Sequence, residues 1–107
     1  MQPQGHVQVL IDMIDFGMNV QKAGDAPRIQ HFGSPTPTGR AAAADGGTVA
    51  AESGIPEATL EALKRKGHRM TSAPGTFGGY QAILIDRKHG TLHGGSDPRK
   101  DGCAAGY

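Results

Sequence analysis

The chain has 107 residues, with 11 Lys and Arg against 10 Asp and Glu, a net charge near +1 and no Trp. That is room for one small domain, without the basic face of a nucleic-acid binder. No apolar run approaches the roughly 18 residues of a membrane span, and one cysteine, Cys103, leaves no internal disulfide and no Cys-rich zinc pattern.

Only 18 residues are Leu, Ile, Val or Phe, while Gly and Pro number 17 and 7. A chain this short buries a modest share of its surface even with a rich apolar set. The balance of charges argues against plain disorder, so the composition predicts a marginal domain or a piece of something larger. The opening residues Met1-Gln2-Pro3-Gln4-Gly5 carry no basic region ahead of an apolar stretch and do not read as a signal peptide.

The first predicted element is a helix over Gln4 to Phe16. Val7, Leu10, Ile11, Ile14 and Met18 fall at helical spacing. Val9, Met13 and Phe16 widen the apolar arc past half the circumference, beyond the ~100° that a surface helix needs. Such a helix calls for cover on two sides, from a sheet and a further layer. Gly17 suits a left-handed stop. Asn19 caps a short second helix, Val20 to Ala26, which Pro27 ends.

Arg28 to Phe32 reads as extended. Gly33 to Gly47 holds two prolines, four alanines in a row and no periodicity, and reads as a surface loop. Thr48 to Glu52 is a candidate strand. A third helix, Pro56 to Lys66, has Glu57 at its start and Lys64, Arg65 and Lys66 at its end, matching the helix dipole. Glu61 and Arg65 are spaced to pair. Its thin apolar face, Leu60 and Leu63, puts it on the outside. His68 to Ala73 is a strand leading into the Gly75–Gly79 loop. Tyr80 to Ile85 is the clearest strand, apolar on both faces as in sheets sandwiched between layers. A turn over 86–90, with Gly90 left-handed, returns the chain through Thr91 to Gly95.

No complete catalytic set emerges from these residues. The Gly75–Gly79 loop lacks the Lys-Ser/Thr of a phosphate loop and no helix follows it, so it reads as a turn. His89 and His93 lie on a turn and a strand without a third ligand at metal-site spacing, so no metal and no cofactor are expected. Cys103 sits in a Gly/Ala-rich tail without an activating base. Asp12 and Asp15 share the polar stripe of the first helix and read as solvated carboxylates. No G-x-S-x-G elbow is present. Ser96-Asp97-Pro98-Arg99 reads as a turn locked by an Asp–Arg interaction.

The run Gln8 to Asn19 (QVLIDMIDFGMN), followed by Ala26-Pro27-Arg28-Ile29, resembles the long buried helix near the C-terminus of gamma-glutamyltransferases, also called gamma-glutamyltranspeptidases. Leu60 to His68, Gly78 to Ile83, and the ending Gly94-Gly95-Ser96-Asp97-Pro98-Arg99 with Ala105-Gly106-Tyr107 follow in the family's order. The resemblance implies a partial Ntn-hydrolase αββα sandwich of the α/β (α+β) class, with helices on a mainly antiparallel sheet. It also implies that residues 1–107 are a single segment from the C-terminal part of the small subunit.

The family's nucleophilic Thr, its Gly-Gly oxyanion pair and its glutamyl-gripping residues would then lie upstream of Met1. No catalytic or substrate-binding residue is therefore assigned here. Leu10, Ile11, Ile14, Asp97 and Arg99 are structural candidates. The implied partners are the rest of the same enzyme, meaning the large subunit and the N-terminal part of the small subunit, with a gamma-glutamyl small molecule as substrate of the intact form. The family setting implied is periplasmic or extracellular. A beta-lactam or glutaryl acylase-like member of the same superfamily, and a non-catalytic interaction module derived from such an enzyme, are the alternatives.

Overall fold

The computed structural model describes residues 1–106; Tyr107, part of the family-like ending, lies outside the described residues. In chain order the elements are α1 (Gln2–Ile14), α2 (Val20–Asp25), β1 (Ile29–Phe32), β2 (Thr48–Ala51), α3 (Glu57–Arg65), β3 (Met70–Thr71), β4 (Gln81–Asp86) and β5 (Thr91–Ser96). They fall into two compact units. The fold is α+β, with mainly antiparallel sheets.

The hairpin unit joins residues 2–26 to residues from Gly78 onward. α1 stops where the pattern places the stop: Gly17 adopts φ +64° and Met18 N donates to Asp12 O at 2.9 Å, the wrap of a left-handed C-terminal cap. Asn19 then caps α2, its side chain accepting from Lys22 N at 2.8 Å. β4 and β5 pair antiparallel from Gln81↔Ser96 to Asp86↔Thr91. Gly90 takes φ +67° in the turn between them. Asp86 Oδ1 accepts from Lys88 N and His89 N, and Oδ2 meets His89 Nδ1 at 2.6 Å, so one carboxylate organises the turn. α2 lies against both strands, and α1 packs on α2.

Among the described residues, the wide apolar arc of α1 stays largely uncovered. Val9 is its buried residue; Leu10, Ile11 and Ile14 are 54%, 41% and 75% exposed. Ile83, Leu84 and Ile85 of β4 are exposed on both faces of the hairpin. The doubly apolar strand is present, but these 106 residues do not supply the layers that its composition calls for.

The three-strand unit spans Pro27–Phe77. β1 and β2 pair antiparallel (Ile29↔Ala51 to Phe32↔Thr48), and β2 and β3 pair parallel at Val49↔Met70 and Ala50↔Thr71. Ala50 and Phe77 are its buried apolar residues. The strand expected over His68 to Ala73 shortens to Met70–Thr71, because β2 offers it only a two-residue ladder. α3 carries no buried residue, in keeping with its thin apolar face. Glu61 pairs with Lys64 at 2.6 Å rather than with Arg65, since i,i+3 also faces across a helix.

The 33–47 segment is irregular but internally bonded. Ala43 N donates to Gly33 O at 2.8 Å, and Thr36 N to Arg40 O at 3.0 Å. Gly47 holds φ +78°, and a side chain there would overlap the Phe32 carbonyl, so only glycine lets the segment return beside β1.

Candidate functional site

The most organised cluster of charge lies where β5 ends. Asp97 is 2% exposed. A buried carboxylate needs its lone pairs satisfied. Its Oδ1 accepts from Arg99 N at 2.9 Å and Arg99 Nη1 at 3.0 Å, and its Oδ2 from Tyr80 N at 3.1 Å. Pro98 bends the chain so that residues 97 and 99 face one another.

Arg99 carries the same knot to α2. Its Nη1 donates to Gly24 O at 2.8 Å, and its Nη2 to Ala26 O at 2.9 Å. The last carbonyls of a helix have no partner inside it, and a guanidinium fork placed there meets both hydrogen-bonding and dipole demands. Tyr80 secures the other end of α2, its hydroxyl donating to Val20 O. Its ring lies so close to Gly24 that an added Cβ would overlap Cε1. Gln21 completes the contact: Nε2 donates to Ser96 O at 2.9 Å and Oε1 accepts from Ser96 N at 3.0 Å.

Sequence reasoning singled out Asp97 and Arg99, and they form one ion pair. Leu10, Ile11 and Ile14 sit apart from it on the exposed arc of α1. Tyr80, Gln21 and Gly24 were not anticipated. Their roles depend on contacts 60 and 75 residues away along the chain, and the only local sign was a glycine inside a six-residue helix, where it costs helix stability.

A second arginine, this one buried, stands in the three-strand unit. Arg28 is 3% exposed. Its Nη1 donates to Phe77 O at 3.2 Å. Its backbone is held by Glu52: Arg28 N donates to Glu52 Oε2 at 2.9 Å, and Glu52 N to Arg28 O at 3.0 Å. The same unit has an open polar cleft of about 410 Å³, bordered by His31, Asp45, Lys66, His68 and Arg69. Arg69 is committed within it to Asp45 (2.7 Å) and to Gly47 O. That bond, with the Gly47 amide, holds the Asp45 carboxyl below its ordinary range.

None of this amounts to a catalytic constellation. Thr91 Oγ1 and His93 Nε2 stand 3.1 Å apart on the exposed face of β5, within reach for a nucleophile and base. Among the described residues, however, no carboxylate orients the other ring nitrogen of His93. Nor do the described residues contain a group of three or more His, Cys, Asp or Glu placed to hold a metal ion. Cys103 is exposed. The chemistry visible here is structural: one buried arginine, one part-buried arginine and one buried aspartate fasten chain crossings.

Comparison with known proteins gives this scaffold its family. The gamma-glutamyltranspeptidase family profile matches residues 1–107. An acylase proenzyme, ACY 1, from a Pseudomonas species is 33% identical over 96 residues, which are 90% of this chain and 15% of that protein. The glutathione hydrolase proenzyme of Escherichia coli is 32% identical over 102 residues, 94% of this chain and 15% of that protein. The crystal structure of a cephalosporin acylase from Bacillus halodurans superposes with a TM-score of 0.81 at 39% identity, covering 98% of this chain and 18% of the other. The chain thus spans about a sixth of the length of the curated relatives it matches. By the match along its entire length, the chain belongs to the gamma-glutamyltranspeptidase family.

Proposed function

We propose that these residues are the C-terminal part of the small subunit of an enzyme that cleaves gamma-glutamyl amides such as glutathione and passes the glutamyl group to water or an amino acid. The observation that carries this reading is the family match over residues 1–107, set against relatives some six times longer. In that reading the nucleophilic Thr and its oxyanion donors come from sequence preceding Met1, and this segment supplies scaffold rather than reacting groups.

The exposed faces support it. Among the described residues ten large apolar side chains lie open, including Leu10, Ile11, Ile14, Ile83, Ile85 and Leu92. Their partner is the rest of the same enzyme, the large subunit and the N-terminal part of the small subunit. Burying one such side chain contributes about 1.5–3 kcal/mol, so the association is strong without any new polar contact. Asp97 and Arg99 hold the end of the segment in place.

A second reading has a specific observation behind it: two of the relatives are acylases, one at 39% identity. The same scaffold then serves another acyl group, such as a glutaryl or beta-lactam side chain, and the pocket supplied by the remaining sequence decides.

The test is expression of the complete reading frame that contains these residues. It should yield two chains, the smaller beginning with Thr, and release nitroaniline from gamma-glutamyl-p-nitroanilide. Release from a glutaryl amide instead selects the second reading. An uncleaved product inactive on both substrates, or turnover by the 107-residue chain alone, overturns the proposal.

A further inference from the structure

The two units are interleaved in sequence, and each ties its own two chain crossings together. The hairpin unit breaks off after Ala26 and resumes at Gly78. On the outgoing side the Arg99 fork holds Gly24 O and Ala26 O. On the returning side Asp97, paired with that same arginine, holds Tyr80 N, and Asp97 N donates to Tyr80 O at 3.1 Å. The three-strand unit repeats the device: Arg28, its second residue, donates to the carbonyl of Phe77, its last. Charge-assisted bonds of this kind are roughly twice as strong as neutral ones.

Among the described residues, the longest irregular and largely exposed stretch between these staples is residues 34–46. At its middle is Arg40, exposed and outside any helix or strand, after Gly39 at φ +95°. Of the other basic residues between Met1 and Arg99, Lys22, Lys64 and Arg65 are helical and Arg28 is buried. Arg69 is paired with Asp45, the Arg87-Lys88 turn is clasped by Asp86, and Lys66 is exposed but its backbone amide closes the last turn of α3 on Ala62 O and Leu63 O. Exposed loop tips rich in small residues are the preferred sites of proteolytic nicking.

We infer that the Arg40–Ala41 bond is a nicking site for a trypsin-like protease, and that the Asp97–Arg99 staple keeps the two pieces assembled after the cut. In the cleavage, water adds to the Arg40 carbonyl carbon and the C–N bond breaks. Arg40 leaves with a new carboxylate and Ala41 with a new amine. The first piece carries α1, α2 and β1. The second carries β2, α3, β3 and the hairpin. They are joined by the β1–β2 ladder, by Arg28, and by the Asp97–Arg99–α2 knot.

The test treats the whole chain with trypsin at low ratio and follows it by mass spectrometry and by native size exclusion. The first internal cut should fall after Arg40, should be lost in Arg40→Ala, and should leave pieces 1–40 and 41–107 in one peak at a dilution where the uncut chain runs as a monomer. A first internal cut elsewhere, or pieces that elute separately, overturns the inference. Arg99→Lys keeps the charge but loses the two-carbonyl fork. Its nicked form should come apart at lower urea than the nicked parent, and equal midpoints would remove Arg99 from the role.

Discussion

Arg99 donates to Asp97 Oδ1 at 3.0 Å while the other arm of its guanidinium reaches the Ala26 carbonyl, 73 residues away. A single side chain thus satisfies a buried carboxylate and the end of α2 together. Breaking a buried pair from one side costs about 3–5 kcal/mol, because the partner is left charged and dry.

Arg99→Ala should therefore remove a large share of the stability of a domain this small, since even a stable domain totals only about 5–15 kcal/mol. Asp97→Asn should cost less, since an amide oxygen can still accept from Tyr80 N. Amide exchange at Tyr80 and Arg99 is the measurement. Protection retained in Arg99→Ala would show the pair to be dispensable.

Gly24→Ala places a methyl against the Tyr80 ring. Overpacking of this kind typically costs about 1–3 kcal/mol. Tyr80→Phe removes only the hydroxyl bond to Val20 O, worth about 0.5–1.5 kcal/mol. Gly24→Ala combined with Tyr80→Leu should recover part of the Gly24→Ala loss, because the two changes act on one contact. Strictly additive urea midpoints would contradict the packing.

The β4–β5 turn should respond to acid. The His89 side chain, then the backbone amides of His89 and Lys88, hold the Asp86 carboxyl below its ordinary value of 3.8. A carboxyl depressed in the folded state adds stability above its unfolded pKa, and that stability is lost as pH falls through the lower folded value. The turn should hold at pH 5 and loosen below about pH 4. A carboxyl carbon titration for Asp86 with a midpoint at or above 3.8 would count against the clasp.

Ile14 is 75% exposed here, so Ile14→Ala in this chain should shift stability by no more than about 0.5 kcal/mol. In the complete enzyme proposed above, the same change should cost about 2–5 kcal/mol by leaving a cavity, and Leu10→Asp or Ile11→Asp should block folding or maturation. Equal small effects in both settings would mean that nothing covers this face of α1.

The isolated chain should bind a hydrophobic dye and self-associate at rising concentration, given its open arc on α1 and bare faces on β4. A dye-silent monomer with a sharp melt is the contrary outcome.

Helix and strand positions were largely legible because their signals are local. The Val7–Leu10–Ile11–Ile14 spacing gave α1, Asn19 the start of α2, and Gly90 the hairpin turn. The ladder of β3 was overestimated because its length depends on β2, which lies some 20 residues earlier. The knot around Tyr80, Gly24 and Arg99 was only half legible. Asp97 and Arg99 are near neighbours in sequence, but the carbonyls that the arginine serves are set by tertiary contact alone. The exposure of β4 and α1 follows the same logic from the other side. The apolar pattern called for cover, the described residues leave those faces open, and nothing in the sequence names what would cover them.

The 75 residues separating Gly24 from Arg99 also set an order of events during synthesis. At roughly 5–20 residues per second, α1 and α2 emerge several seconds before the arginine that fastens them exists. Throughout that interval α2 has neither β4 nor β5 to pack against, and α1, a helix of 13 residues, is marginal by itself in water. Closure of the hairpin unit is therefore a late, long-range step, slow for the same reason that non-local folds are slow. The nascent chain is the state in which this sequence has most need of a chaperone.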